Sequence, residues 1–322
     1  MRRVGCLGLL IAIAAIVALF WLVQGWGGSG PAKRSVTVLI RDGETLADAA
    51  RDLQKAGAIR SAHGFVMHAK LFGAHASIKA GEYRIPAHTS PSDILKMLES
   101  GKTLQRLVTI PEGLPSVMVR DRLMAAPGLV GPVAVPAEGS VLPDSYAYQP
   151  EDTRVSVVKR MQAAMTRYLA RDWAQRAPGL AVTTPRQALI LASIVEKETG
   201  KPSERAMVAG VYENRLKQNM PLQADPTIIY PITQGRPLGR RILESEVHAK
   251  NAYNTYEMTG LPAGPICNPG RASIDAVLHP ATTKALYFVA DGTGGHVFAD
   301  TLAEQNANVA KWYAIRRARG EM

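Results

Sequence analysis

Two carboxylates one residue apart, Glu196 and Glu198, close a run of eight uncharged residues at 188–195. A carboxyl group at the edge of an apolar segment is raw material for a general acid. Burial disfavours its charged form, so the proton is held up to pH values near neutrality, where it can also be given away. Glu196 follows the run directly, on the helical face that carries Ala192 and Ser193. The negative end of a helix dipole acts there in the same sense. These properties place the candidate acid at Glu196, with Glu198 as its competitor. The plain structural alternative is a Glu196 that simply enters solvent beside Lys197. Alternate residues on a helix diverge by about 200°, so the two carboxylates cannot act together on one bond.

Other residues that could do chemistry gather in loops stiffened by Pro and Gly. They are Gln223, Asp225 and Thr227 in the stretch 222–230, Tyr253-Asn254-Thr255-Tyr256, and Asn268 in the stretch 260–270. Loops that need many fixed dihedrals line sites more often than they merely connect elements. Asp225 precedes Pro226 and also has the form of a helix N-cap. The seven His residues show no H-x-H or H-E-x-x-H spacing, so neither a catalytic metal nor another cofactor is expected. Cys6 and Cys267 lie too far apart in setting to pair. Cys267 has no His near it in sequence and reads as a packed thiol.

The elements that must hold these groups follow from periodicity. Thr184, Pro185 and Gln187 form a helix start with a capping box, and Gly200 is the expected stop. Between them the helix is apolar around nearly its whole circumference and should be buried. A long amphipathic helix precedes it over 153–173, and another begins at Ser203. A short helix at 273–278, a buried strand at 286–290 with a hairpin partner at 296–298, and a last helix at 302–313 complete the C-terminal part. His296 reads as a hairpin residue.

Before these, residues 33–111 read as a small α+β module. Strands are expected at 35–40, 81–85 and 104–110, with helices ending at Gly57, Gly73 and Gly101. Residues 142–146 read as a compact turn. Residues 1–3 read as a cytoplasmic tail and 24–32 as a flexible linker. Residues 4–23 carry no charge and are long enough to span a bilayer, with Trp21 and Trp26 where interfacial aromatics belong. An uncleaved single-pass anchor with an exported body is the expectation. The whole is an α+β chain of an anchor, the small module and a larger domain at 112–322. The net charge of +11 is scattered, with one small basic cluster at 315–319, so nucleic acid is not the expected partner.

The stretches 193–199, 208–216, 222–230, 253–256, 260–266 and 295–298, taken together, resemble the YceG-like (MltG) family of membrane-anchored endolytic murein transglycosylases. The likeness runs from about residue 35 to 313. It implies a LysM-like module at 33–111, a periplasmic domain cutting the MurNAc–GlcNAc bond of nascent peptidoglycan strands, and Glu196 as general acid and then base. It also implies an inner-membrane location and cell-wall synthases as partners. Gln223, Asp225, Thr227, Tyr253, Asn254, Thr255, Tyr256 and Asn268 then become candidates for contacting N-acetylated sugars, or for bonding within their own turns. Two departures concern groove shape: Gly139-Ser-Val replaces the family's aromatic-bearing stretch before Leu142-Pro-Asp, and Ala252 replaces a Pro. The alternative expectation, of a different class, is a membrane-tethered glycan-binding scaffold.

Overall fold

The computed structural model describes residue 13 and residues 25–72 and 76–321. The expected anchor at 4–23 and Cys6 lie outside the described residues, apart from Ile13. Among the described residues no helix is long and apolar enough to cross a membrane. The chain forms two compact units. One ends at Arg106 and takes back Ala147–Glu151, and the other comprises Leu107–Tyr146 and Asp152–Met322.

In the first unit, β1 (Val36–Ile40) pairs antiparallel with β2 (Gly81–Ile85), in register from Val36 opposite Ile85 to Ile40 opposite Gly81. Alternation buries Val38, Ile40, Tyr83 and Ile85 on one face, against α1 (Leu46–Lys55), α2 (Ala62–Phe72) and α3 (Pro91–Ser100). Local chemistry sets the helix ends. Thr45 and Asp48 close a reciprocal capping box, and Ser90 caps Asp93 N–H ahead of Pro91. Gly101 ends α3 at φ 70°, a left-handed conformation that glycine adopts without penalty. Trp26 stacks on His68 of α2 with centroids 5.8 Å apart.

The strand expected to close this module, β3 (Arg106–Thr109), pairs instead with β4 (Ser145–Tyr148), part of which was expected to be a turn. Thr109 and Ser145 bond through their hydroxyls at 2.8 Å. The pairing spans thirty-odd residues of sequence, so no local signal announces it.

The second unit is mainly helical. Its elements are α4 (Ser116–Ala125), α5 (Arg154–Trp173), α6 (Pro185–Glu198), a 3₁₀ turn (Pro202–Glu204), α7 (Arg205–Lys217), α8 (Asp225–Thr233), α9 (Glu244–Val247), α10 (Arg271–Leu278) and α11 (Leu302–Ala318). An antiparallel hairpin, β5 (Tyr287–Ala290) with β6 (His296–Ala299), precedes α11. The helix α6 runs through the core, packed on α5, α7, α8 and α10. Ala188 and every residue from Ile190 to Val195 are buried, as an all-round apolar helix requires. The strand β5, expected to be buried, is only half-buried along its length.

Candidate active site

The site begins with how α6 is fixed at both ends. Thr184 Oγ1 accepts from Gln187 N–H at 3.2 Å, but the return arm of the box reaches one residue further. Gln187 Oε1 accepts from the N–H and hydroxyl of Thr183, not from Thr184. Near its C-terminal end, Ser193 donates to Ile190 O and accepts from Ile266 N–H at 3.0 Å, and Cys267 Sγ donates to Ser193 O. The stiff loop 260–270 is thereby stitched along the helix. Burial pushes the Cys267 thiol well up, which suits a packed and unreactive side chain. The helix ends in extended backbone at Thr199, whose N–H returns to Val195 O, so Gly200 is not its left-handed stop.

From this end the two carboxylates diverge. The side chain of Glu196 is only 6% exposed, so it does not emerge into solvent. Its Oε2 accepts from Gly270 N–H at 2.8 Å, and its Oε1 lies 3.9 Å from the Arg205 guanidinium. The neighbourhood is thus not the wholly apolar one that the run 188–195 suggests. A Cβ at position 270 would meet only the movable end of the exposed Glu112 side chain.

Glu198 points elsewhere, into a cavity of about 540 Å³ that it lines with Tyr212, Arg215, Gln223, Asp225 and Tyr256. Its Oε1 is enclosed and has no hydrogen-bond partner among the described residues. Burial, reinforced by the Asp225 charge, raises its pKa to about 7 against the opposing influence of Tyr212 and Arg215. Glu196 does not line this cavity. Glu198 thus keeps its proton toward neutrality inside this cavity.

The remaining candidates divide into two groups. Gln223, Asp225 and Tyr256 face the cavity. Asp225 is the first residue of α8 without a side-chain capping bond, and its Oδ1 accepts from Tyr256 O–H at 2.6 Å. Burial and this contact together push the Tyr256 hydroxyl well above its ordinary range. Gln223 is held at φ 51°, a strained left-handed backbone, with its N–H on Thr255 O. Thr227, Asn254, Thr255 and Asn268, by contrast, are fully buried. Thr227 and Thr255 share a hydroxyl hydrogen bond of 2.9 Å, and Thr255 accepts from Ala224 N–H. Asn254 donates to the carbonyls of Val247 and Ala249. Asn268 donates to Leu114 O and accepts from Val141 N–H. Thr227 and Thr255 tie the stretch carrying Gln223 and Asp225 to the loop carrying Tyr256, while Asn254 braces its own loop and Asn268 joins the 260–270 loop to Leu114 and Val141. Tyr253 packs on Tyr230 with centroids 4.9 Å apart.

Sequence reasoning passes over Tyr212 and Arg215, which sit on α7 as ordinary helical residues until the fold turns them inward. Arg215 is buried, donating to Leu286 O and Leu222 O at 2.7 and 2.8 Å, so it ties the hairpin to the loop bearing Gln223. It passes over Glu138 as well, a buried carboxyl whose pKa is raised by desolvation and which accepts from Ser116 N–H at 2.9 Å.

The second unit thus belongs to a recognisable class: a mainly helical domain with a proton-holding carboxyl enclosed in a polar and aromatic cavity. The YceG-like family profile matches residues 38–311, and the chain belongs to that family. An endolytic murein transglycosylase of Bacillus subtilis (strain 168) is 28% identical over 316 residues, which is 88% of this chain and 86% of that protein. One from Streptococcus pneumoniae serotype 2 is 29% identical over 329 residues, covering 87% of this chain but 58% of that longer relative. A YceG-like protein of Listeria monocytogenes of known crystal structure aligns with a TM-score of 0.56 at 26% identity, over 86% of this chain and 99% of that one.

Proposed function

We propose that this chain is an endolytic murein transglycosylase in which Glu198 is the proton-transfer residue. The observation that carries this reading is the enclosed Glu198 carboxyl, with its pKa raised to about 7, in a cavity shared with Gln223, Asp225 and Tyr256. The names and coverage of the relatives supply the reaction class. Glu198 rather than Glu196 is chosen because the Glu196 carboxylate is committed to Gly270 N–H and faces away from that cavity.

The chemistry then follows from one carboxyl group. Protonated Glu198 gives its hydrogen to the glycosidic oxygen, the C1–O bond breaks, and its electron pair leaves on that oxygen. The carboxylate so formed takes the proton of the sugar's own C6 hydroxyl as that oxygen bonds to C1. A 1,6-anhydro ring closes and Glu198 is protonated again. A nucleophile already in the substrate has a high effective molarity, so no enzyme-held nucleophile is required. Asp225 contributes twice: its charge helps keep Glu198 protonated, and it favours the positive charge that develops at C1. The same carboxylate could instead activate water, as in the two-carboxylate glycosidases. The products decide between these routes.

Digestion of purified murein with mass analysis should give anhydro ends. Products with free reducing ends throughout would move the chain to the hydrolases. Glu198→Gln should lower kcat by at least about 100-fold, the scale of general acid catalysis, whereas Glu196→Gln should stay within about tenfold. The reverse order would return the acid to Glu196. We further propose, from the sequence pattern of residues 4–23, a membrane-anchored protein acting on nascent strands outside the cytoplasmic membrane beside cell-wall synthases. The β–α–α–β order of residues 36–85 is compatible with a LysM-like module. A scaffold role predicts that cellular function survives Glu198→Gln but not disruption of that module.

A further inference from the structure

Part of the wall of the Glu198 cavity comes from the last helix. Gln305, Val309, Trp312 and Arg316 of α11 all line it, together with Tyr287 of β5. Their spacing of four, three and four residues puts them on one helical face. Such a stripe ordinarily packs into a core, yet no residue of α11 is fully buried. The stripe is turned to the cavity instead, and Tyr313 beside it is 44% exposed.

Gln305 supplies a second, independent sign of a ligand. Its Nε2 donates to Phe288 O at 3.0 Å, which fixes the amide, because a carbonyl can only receive a donor. Its Oε1 is therefore an acceptor, and it is enclosed without a partner among the described residues. An enclosed acceptor with nothing to accept from is costly unless a ligand brings the donor. The cavity thus joins the aromatic side chains of Tyr287, Trp312 and Tyr313, an unmet acceptor and the carboxyl of Glu198. A pyranose ring matches this set, since it shows a face of C–H groups to aromatic rings and a rim of O–H and N–H donors.

We infer that α11 forms a saccharide subsite next to the scissile bond, a role that rests on the proposed glycan-cleaving reading. Trp312, flanked by Tyr313 and Tyr287, stacks on one sugar of the strand, and Gln305 Oε1 accepts from a hydroxyl or acetamido N–H of the same sugar. Arg316, 6.0 Å from the Trp312 ring centroid, braces that ring from the next turn.

The test measures binding apart from turnover. The full chain carrying Glu198→Gln is titrated calorimetrically with the tetramer of N-acetylglucosamine, and the titration is repeated with Trp312→Ala, Trp312→Phe or Gln305→Leu added. Trp312→Ala should weaken binding on the order of tenfold or more, Trp312→Phe should restore most of it, and Gln305→Leu should weaken it severalfold. In the otherwise wild-type chain, Trp312→Ala should raise KM with kcat nearly unchanged. Unaltered affinity in Trp312→Ala, with circular dichroism showing the helix intact, overturns the subsite, as does absence of tetramer binding by the Glu198→Gln parent. Full murein cleavage by Glu198→Gln would instead remove the acid assignment, a separate failure.

Discussion

A buried acid leaves a mark on stability as well as on rate, and Glu198 offers a way to read it. In the unfolded chain its carboxyl has the ordinary value of 4.5, whereas burial and Asp225 raise it to about 7 in the fold. The unfolded chain therefore releases this proton at lower pH than the folded protein does. Below pH 4.5 both states keep the proton and the group is neutral in its effect. Between pH 4.5 and 7 the folded protein loses stability progressively, and above pH 7 the full cost remains. A shift of that size corresponds to roughly 3 kcal/mol. Glu198→Gln removes the titration, so the variant should exceed the wild type most at pH 8 and least at pH 5. The gap in melting temperature should grow across that range to on the order of 5–10 °C. Asp225→Asn, which removes part of the cause, should shrink the pH-dependent gap without abolishing it. Parallel melts of the three proteins from pH 5 to 8 decide the matter. A gap that stays constant with pH would refute the claim that this carboxyl is held protonated by its surroundings. In turnover, the same titration makes wild-type kcat fall as pH rises past about 7.

Glu196→Gln keeps an acceptor for Gly270 N–H but removes its charge, and should cost about 1 kcal/mol or less in denaturant unfolding. Gly270→Ala, at an ordinary φ of -74° and against only the movable end of Glu112, should change stability by about 1 kcal/mol or less. Thr227→Val takes away the buried acceptor of Thr255 N–H and the hydroxyl partner of Thr255, and should cost about 1–3 kcal/mol while leaving the pH optimum in place. Cys267 should resist thiol reagents in the native protein and react only once denaturant opens the second unit, which a timed labelling assay would show.

The sequence by itself determined the elements whose cause is local. The capping chemistry of Ser90 and Thr184, the stop at Gly101 and the all-round apolar run at 188–195 are readable residue by residue, because each depends on neighbours within one or two turns. The motif set was enough to place the chain in its family and to point to the C-terminal end of α6. What it could not decide is which face of that end meets a cavity. Glu196 and Glu198 sit two residues apart in one helical turn, and both satisfy the same local rules. Only the packing of α7, α8, the β5–β6 hairpin and α11, all later in the chain, encloses Glu198 with Tyr212, Asp225 and Trp312. The same long-range packing hands Glu196 to Gly270. It likewise turned Thr227, Asn254, Thr255 and Asn268 inward, because a polar side chain in a tight loop bonds to whichever backbone the fold brings beside it. Proton affinity follows from enclosure and nearby charge, and these are properties of space rather than of sequence distance.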